Sequence, residues 1–317
     1  MATAKKTPSS KSPAKASRNA PPPRRKCGCM SVHHWLLEQD PGYRATQTAL
    51  EHSFTASRRM ARAAPAKVYK VNVVVHVMQS PGAGTVTAAQ VKSQIDALNR
   101  DYRAKNTDRK KAPAVWKGLV ADPMIEFQLA TKDPAGKPTT GIDFVPTTET
   151  AFGQNDSMKD PARGGVAPWN PAKYLNIWVC PLKDGLLGYA QFPGGPPATD
   201  GVVIATIAFG TKGTAKAPFN KGRTATHEVG HYFNLRHIWG DTEDCSGSDF
   251  VDDTPNAENP NYNKPTFPHI SCKNGPNGDM FMNYMDYVDD DTMVMFTPEQ
   301  VARMHSALDQ ARTGLWQ

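Results

Sequence analysis

The sequence TATHEVGHYFNLRHIWGD, residues Thr224–Asp241, holds three histidines and one glutamate in an order suited to a zinc site. His227 and His231 are four residues apart, so on a helix they project from one face, one turn apart. Two neutral imidazoles held in this way can bind one zinc ion at ~2.0–2.1 Å. Glu228 follows the first histidine, where its carboxylate reaches a zinc-bound water and not the ion. The stretch therefore predicts a hydrolytic zinc site on a helix.

His237 is the third candidate ligand, and its position predicts a turn. On a continuous helix it would lie about 15 Å along the axis from His227, too far for both to bind one ion. The helix must therefore end soon after His231. Asn234 lies where the chain must turn back, and asparagine is well suited to the left-handed conformation. A surface helix that carries His-Glu-x-x-His by chance is the alternative, and the third histidine weighs against it.

Composition limits the class of protein. The chain has 317 residues, of which 39% are hydrophobic, and no apolar run approaches the ~18 residues of a transmembrane helix. Residues 1–66 contain 12 Lys and Arg against 3 Asp and Glu, whereas the remainder contains 25 against 27. The positive charge belongs to the N-terminal part, so the body of the protein is not expected to bind nucleic acid or a membrane.

Three regions are predicted along the chain. Residues 1–26 are basic and rich in Pro, Ser and Ala, as in a disordered tail, and they contain no apolar signal-peptide core. Residues 27–66 contain two helix-like stretches divided by Asp40-Pro41-Gly42. Residues 67–317 form the main domain, with an upper part to about residue 237 and a lower part from 238 onward.

Hydrophobic patterning in the main domain indicates an α+β fold, a sheet backed by two helices. Strands are predicted at Lys67–Gln79, Met124–Ala130, Tyr174–Leu182, Leu187–Phe192 and Gly201–Ile207. Helices are predicted at Thr87–Tyr102, Arg223–Phe233 and Thr297–Leu308. The polar segment Thr139–Asn170 is predicted to form long surface loops.

A second motif, NYMDY at Asn283–Tyr287, follows His237 in the sequence. Together with HEVGHYFNLRHIWGD and the segments YLNIWVC, LGYAQFPG and DGVVI, it resembles the metzincin metallopeptidases, and within them the pappalysin (cytophagalysin-like) family. The resemblance covers residues 67 to about 310. The metzincin pattern has glycine where this chain has Asn234, which puts the turn geometry in question and not the ligand set.

The resemblance implies a metzincin-like catalytic domain with a twisted, mostly parallel sheet, two helices and a loop-rich C-terminal subdomain. It implies that the three histidines bind zinc and that Glu228 acts as general base, then acid, in peptide hydrolysis. Met285 would form the Met-turn beneath the metal, and Tyr287 would approach the metal or the developing oxyanion. The LGYAQF segment would be the edge strand that binds an extended peptide or protein substrate.

The five cysteines suggest two further features. Cys245 and Cys272 flank a loop-rich segment, and their pairing resembles a family disulfide, which implies an oxidising compartment. The absence of a visible signal peptide points the other way, so localisation stays open between secretion and retention. Cys27 and Cys29 precede the catalytic domain and could form half a metal site, a strained disulfide or ordinary thiols.

Several metzincin pro-segments resemble the stretch around Cys27, and this suggests latency. A thiolate is a strong zinc ligand and could fill the position of the attacking water. Cys27 is the preferred blocking ligand and Cys29 the alternative, with Arg25 and Lys26 favouring the thiolate. Residues 1 to about 64 would form the pro-segment, released by cleavage within Arg58–Ala66. Incidental thiols near a tail are the competing interpretation.

Acidic residues after the third histidine suggest calcium. Oxygen ligands in loops suit this ion, but solvated acidic loops explain the same residues equally well. The residues are Asp241, Glu243, Asp244, Asp249, Asp252, Asp253 and Asp289–Asp291.

Three functions are weighed against one another. A zinc endopeptidase is the first, and a catalytically silent peptide-binding module of the same fold is the second, which the intact Glu228 disfavours. A nucleic-acid-associated protein acting through the basic tail is the third, and it would show steeply salt-dependent binding.

Overall fold

A computed structural model describes residues 23–57 and 67–317. Most of the predicted basic tail and the cleavage segment Arg58–Ala66 expected from the sequence lie outside these residues, apart from the tail's last four positions. Within the described ranges the α-helices are α1 Cys29–Gln39, α2 Pro41–Ser57, α3 Ala88–Asp101, α4 Arg223–Tyr232 and α5 Pro298–Gln310. The strands are β1 Tyr69–Gln79, β2 Ile125–Leu129, β3 Ile142–Pro146, β4 Leu175–Cys180, β5 Gly188–Ala190, β6 Val202–Ala205, β7 Tyr262–Asn263 and β8 Tyr287–Val288.

The main sheet has six strands and is parallel except at one edge. Its order is β2-β1-β4-β6-β5, with β3 also paired to β1. The valine-rich β1 pairs with β2, β3 and β4, and most of its residues are buried, as its apolar sequence predicts. Strand β5 is antiparallel to β6 and forms the edge. The α+β architecture expected from the sequence is confirmed.

The prediction of long loops over Thr139–Asn170 is wrong in part, because this segment contains β3. Strand β3 is only five residues long, ends in Pro146 and is partly exposed. Its register is set by β1, which places Val75 opposite Ile142 and Val77 opposite Phe144. A short, partly exposed strand that is held by pairing with its neighbour is hard to recognise from its own sequence.

Capping chemistry positions the helices that flank the sheet. The Thr87 side chain accepts a hydrogen bond from the backbone N–H of Gln90 at the start of α3. Thr297 and Gln300 form a capping box at the start of α5. The Asp40 carboxylate accepts the N–H groups of Gly42 and Tyr43, so the predicted breaker separates α1 from α2.

Helix α4 packs under β5 and β6, and α3 packs beside it. The core between these helices and the sheet includes Val91, Leu98, Tyr102, Val229 and Phe233, all buried. His76 of β1 is also buried and is a structural residue, since its ring nitrogens contact Asp143 and Asn176. No described helix has the length and apolar character needed to cross a bilayer.

Candidate metal centre

Helix α4 ends in the turn that the sequence predicts. Asn234 has a φ of 73°, in the left-handed region. The N–H of Leu235 then bonds the carbonyl of Gly230 at 2.9 Å, which closes the helix C-terminus. Asparagine therefore serves at this position in place of glycine. The chain reverses within three residues and brings His237 back to the helix.

The three histidine side chains converge. Nε2 of His231 lies 3.1 Å from Nε2 of His227 and 3.0 Å from Nε2 of His237. Zinc bonds of ~2.0–2.1 Å in a tetrahedral site would place neighbouring nitrogens about 3.4 Å apart. All three rings are buried. The separations observed are close to those of ligands to one ion.

The opposite ring nitrogens are held by oxygen acceptors. Nδ1 of His227 contacts the carbonyl of Tyr284 at 2.7 Å, and Nδ1 of His231 contacts the carbonyl of Leu235 at 2.8 Å. Nδ1 of His237 contacts Oδ1 of Asp241 at 2.5 Å. Burial lowers the pKa of His237 and Asp241 raises it, with a net rise to about 9.

The acceptors at Nδ1 indicate which ring nitrogens face the centre. When the three imidazoles are neutral, hydrogen on each Nδ1 leaves three Nε2 lone pairs that point at one another. Such lone pairs repel unless a cation lies between them, and oxygen acceptors on the outer nitrogens make imidazoles better ligands. The residues present therefore fit a zinc ion held by His227, His231 and His237.

Glu228 lies beside this centre and faces two thiols. Its Oε2 accepts from Sγ of Cys29 at 2.8 Å and from Sγ of Cys27 at 3.3 Å. Burial and the neighbouring Cys27 raise the pKa of Glu228 well above its usual range. Sγ of Cys27 also falls within 4.8 Å of the ligand atoms of all three histidines. The four donors Cys27, His227, His231 and His237 thus form one cluster.

The two thiols have opposite electrostatic environments. Burial raises the pKa of Cys27, but hydrogen bonding with Cys29 and the charge of His231 bring it well below its ordinary value. Burial and the proximity of Cys27 and Glu228 raise the pKa of Cys29 well above the ordinary value. Cys27 is therefore suited to the thiolate form and Cys29 to the thiol.

Backbone pairing places these cysteines. The N–H of Leu187 bonds the carbonyl of Lys26 at 2.9 Å, and the N–H of Gly28 bonds the carbonyl of Gly188 at 3.0 Å. The backbone N–H of Ala190 donates to Sγ of Cys29 at 2.9 Å. The segment before α1 therefore runs parallel to β5 and covers the free edge of the sheet.

Arg25 fills a buried pocket next to the centre. Its Nη2 lies 2.6 Å from Oδ1 of Asp290, its Nη1 lies 2.8 Å from Oγ1 of Thr224, and its guanidinium stacks 5.1 Å from the Phe219 ring. Both charged side chains are at most 1% exposed. The expectation that Arg25 favours the Cys27 thiolate needs correction, because its charge is neutralised by Asp290.

Met285 packs on the helix that carries the first two histidines, and Tyr287 packs beside the histidine rings. A Cβ atom at Gly230 would approach Sδ of Met285 to 2.5 Å, so the thioether packs directly on α4. The Tyr287 ring lies 5.0 Å from His237 and 5.7 Å from His227, centroid to centroid. The turn between them is tied down by Asp286, which accepts the N–H of Tyr287 at 2.7 Å.

The chain is similar to proteins of known activity. A family model described as pregnancy-associated plasma protein-A matches residues 165–309. An extracellular metalloprotease of Verticillium alfalfae is 40% identical over 244 residues, covering 76% of each chain. Another, of Pyricularia oryzae, is 35% identical over 253 residues, covering 77% of this chain and 76% of the relative.

The chain belongs to the pappalysin family.

Solved pappalysin structures agree. Mature mirolysin of Tannerella forsythia in complex with a cleaved peptide is 46% identical and covers 79% of this chain and 96% of its own, with a TM-score of 0.77. A promirolysin mutant of the same organism covers 92% of this chain and 97% of its own, with 42% identity and a TM-score of 0.83. The fold is therefore that of a pappalysin, and the protein is a metallopeptidase, a hydrolase of peptide bonds.

The predicted disulfide between Cys245 and Cys272 is present. Cys180 is a buried free thiol in β4, and burial raises its pKa. The disulfide joins the loops that follow the third histidine to those that precede the Met-turn. It thereby restrains the loop-rich part of this pappalysin.

The acidic residues proposed for calcium contact protein groups. Asp253 accepts from Oγ1 of Thr297 at 2.7 Å and from the N–H of Glu299 at 2.8 Å, at the start of α5. Asp241 contacts His237, and Asp290 contacts Arg25. Within residues 23–57 and 67–317, three or more metal-type donors converge only around the histidines. Calcium thus remains a prediction without structural support.

Sequence reasoning missed the residues that support this centre. Asp241 was considered only as a calcium ligand, and the carbonyls of Tyr284 and Leu235 carry no signal in a sequence. Arg25 was noted only as a neighbour of a cysteine. Its partner Asp290 is 265 residues away in the sequence. The sole signal for this pair was the presence of an arginine near the cysteine and of an acid near the Met-turn.

Proposed function

We propose that this pappalysin is a zinc-dependent endopeptidase, made as a latent proenzyme, in which Glu228 is the general base. The observation that carries the proposal is the buried carboxylate of Glu228 beside three converging histidine Nε2 atoms. Zinc at His227, His231 and His237 would lower the pKa of a water toward ~7 and polarise the substrate carbonyl.

The protein groups then move the proton. Glu228 accepts a proton from the attacking water, whose oxygen bonds to the carbonyl carbon of the scissile peptide. Glu228 next delivers this proton to the leaving amine as the C–N bond breaks. Tyr287, beside His227 and His237, donates a hydrogen bond to the tetrahedral oxyanion, an effect typically worth ~3–4 kcal/mol.

The substrate is an extended peptide or protein segment. Strand β5 is the edge of the sheet, and the segment around Cys27 occupies its free side by backbone hydrogen bonds. An extended substrate would use the same backbone groups once that segment has left. The complex of mirolysin with a cleaved peptide supports a peptide substrate.

The pocket of Arg25 indicates a preference for basic side chains. Asp290 is buried, and its second oxygen accepts the N–H of Lys221 at 2.7 Å, which fixes the carboxylate. A carboxylate held in this way needs a cation, and arginine matches it better than lysine because of its planar fork. We therefore propose that a substrate arginine takes the place of Arg25.

Latency would come from both thiols. Cys27 would occupy the metal position that the attacking water needs, and Cys29 would hold Glu228. Residues 1–66 would form the N-terminal part of the proenzyme, with cleavage within Arg58–Ala66. Residues 67–317 would form the catalytic domain, divided near residue 237. The names of its relatives support action outside the cell.

The test is digestion of a peptide library by the activated protein, with and without a zinc chelator. Hydrolysis that stops with chelator and returns with zinc is expected. A silent peptide-binding module would bind the same peptides and leave them intact in both conditions, and this outcome would replace the proposal.

A further inference from the structure

A second buried ion pair joins the N-terminal helices to the catalytic domain. Glu51 of α2 meets Arg303 of α5 with both carboxylate oxygens. Nη1 of Arg303 lies 2.7 Å from Oε2, and Nη2 bonds Oε1. The Arg303 side chain is 0% exposed and that of Glu51 is 26% exposed. This two-point geometry is the most directional form of a carboxylate–guanidinium contact.

Arg303 also lies next to the metal centre. Its Nε donates to the carbonyl of Asn234 at 2.6 Å, in the turn between His231 and His237. Its guanidinium lies 5.2 Å from the Phe54 ring of α2 and 5.5 Å from the Phe250 ring. The two Nη groups of Arg303 therefore point from the catalytic domain toward α2.

Departure of the N-terminal helices would remove the carboxylate of Glu51 from this guanidinium. The neighbouring Asp249 does not replace it, because Oδ2 of Asp249 is bonded to Thr254 at 2.6 Å and burial raises its pKa to about 7. Arg303 would then keep the carbonyl of Asn234 as an acceptor for Nε but would have no carboxylate for its two Nη groups, which favours an anionic ligand.

A second cation strengthens this site. The Arg236 guanidinium lies 4.8 Å from the Phe192 ring and 5.8 Å from the Phe250 ring. The Arg303 guanidinium lies 5.5 Å from the same Phe250 ring, so the like charges of the two arginines repel each other. An acidic group between or beside the two arginines would relieve this repulsion.

We propose that Arg303, assisted by Arg236, is an acid-binding subsite of the mature enzyme. Glu51 occupies it in the latent form, and a glutamate or aspartate side chain of the substrate occupies it after activation. This proposal rests on the proposed endopeptidase function. The latent chain passes Arg25 in the Asp290 pocket, then Cys27 at the histidines, then α1 and α2. The substrate acid therefore lies on the side of the metal centre opposite the substrate arginine.

The test uses the full chain after activation by limited proteolysis. Peptides carry one fixed arginine and either Glu or Gln at each successive position across the scissile bond. At one position the Glu peptide should have a kcat/KM about tenfold above that of the Gln peptide, as expected for a charge-assisted contact. Arg303→Gln should bring this ratio to about one, and Arg236→Gln should reduce it. The matched control Arg100→Gln, an exposed arginine of α3, should leave it unchanged.

The ratio compares two peptides on one protein, so a partial loss of activity in Arg303→Gln does not obscure it. If Arg303→Gln does not fold, Arg303→Lys keeps the charge, loses the fork and should give an intermediate ratio. Binding of the labelled peptides to activated Glu228→Gln protein, followed by fluorescence anisotropy, gives the same comparison without turnover.

Two results would overturn the subsite. One is equal use of Glu and Gln peptides at every position by an enzyme that hydrolyses the arginine peptides. The other is a Glu preference that survives Arg303→Gln. A protein that binds the Glu peptides tenfold better than the Gln peptides but hydrolyses neither would keep the subsite and contradict the proposed function.

Discussion

Sγ of Cys29 lies 2.8 Å from Oε2 of Glu228 and accepts the N–H of Ala190 at 2.9 Å. Cys27, two residues earlier, faces the histidines. Both thiols therefore contact the Glu228 carboxylate, and of the two it is Cys27 that also lies close to all three histidines. The assignment of Cys27 as the blocking ligand, with Cys29 as the alternative, stays a prediction, and both thiols lie at the centre.

The thiols can be separated by substitution. Cys29→Ala removes a hydrogen bond to a carboxylate, worth ~1.5–3 kcal/mol, and should raise the activity of uncleaved protein by about 10-fold to 100-fold. Cys27→Ala should raise it further, because the metal position is opened. The measurement is hydrolysis of one peptide before and after cleavage. Cys180→Ala, a buried thiol of β4, serves as control. If neither substitution raises activity, the thiols do not cause latency.

Glu228→Gln should lower peptide hydrolysis by about 10²-fold to 10⁴-fold, because the amide cannot accept the proton of the attacking water. Zinc content should be unchanged, since the carboxylate is not a ligand. Activated wild-type and mutant proteins are compared by peptide turnover and by metal analysis. Near-normal turnover in the mutant would show that another group is the base.

His231→Ala should reduce bound zinc from one ion per chain to a small fraction. Its Nε2 lies within 3.1 Å of those of both other histidines, so its loss leaves only His227, His237 and the Cys27 thiol around the ion. Metal analysis of the purified uncleaved protein measures the change, and His52→Ala on the exposed face of α2 is the control. Equal zinc in wild type and His231→Ala would exclude this ligand set.

Asp290→Asn should weaken hydrolysis after activation for arginine peptides by about 10-fold to 100-fold relative to peptides with a neutral residue at that position. The estimate corresponds to loss of a buried charge-assisted contact of ~1.5–3 kcal/mol. Asp291→Asn is the matched control, because Asp291 pairs with the exposed Lys264. An arginine preference that persists in Asp290→Asn would place the basic subsite elsewhere.

Acid should loosen helix α1 through His33. Nδ1 of His33 lies 2.6 Å from the hydroxyl of Tyr43, and burial lowers the pKa of His33 to about 2. Its folded-state pKa lies below the unfolded value of ~6.5, so below pH 6.5 the unfolded chain binds the proton and the folded chain does not. This histidine therefore imposes no penalty above that pH and an increasing one as the pH falls.

The measurement is the Tm of uncleaved wild type and His33→Gln at pH 7 and pH 5. Other groups oppose the effect, since burial raises the pKa of Asp286 to about 7 and that of Asp101 to about 6. The informative quantity is thus the difference between the two proteins, and wild type should lose more of its stability on acidification. Equal losses in both would exclude His33 as the cause.

The local parts of this site follow from sequence patterns, and the distant parts do not. His227, His231 and the turn at Asn234 lie within one helix end, where side-chain spacing and backbone preference determine geometry. The contacts Arg25–Asp290 and Arg303–Glu51 join residues 265 and 252 positions apart. Many arginines and acids could form such pairs, and only the packed fold determines which of them do.

The same distinction explains the sheet. Strand β1 carries its own valine-rich pattern and was predicted, whereas β3 is arranged by β1 and was missed. The role of Arg25 was missed because a charged residue before a cysteine has a simpler explanation. The Arg25 side chain is 1% exposed because Thr224, Phe219 and Asp290 pack around its guanidinium.

The pairing of residues 26–28 with β5 also bears on how the chain reaches its folded state. An edge strand with free N–H and C=O groups can pair with another molecule, which leads to aggregation. Here that edge is covered by the protein's own N-terminal segment through the bonds to Leu187 and Gly188. A chain produced without residues 23–57 would expose this edge during folding at high concentration. The N-terminal segment therefore keeps this edge from pairing with other molecules for as long as it remains attached.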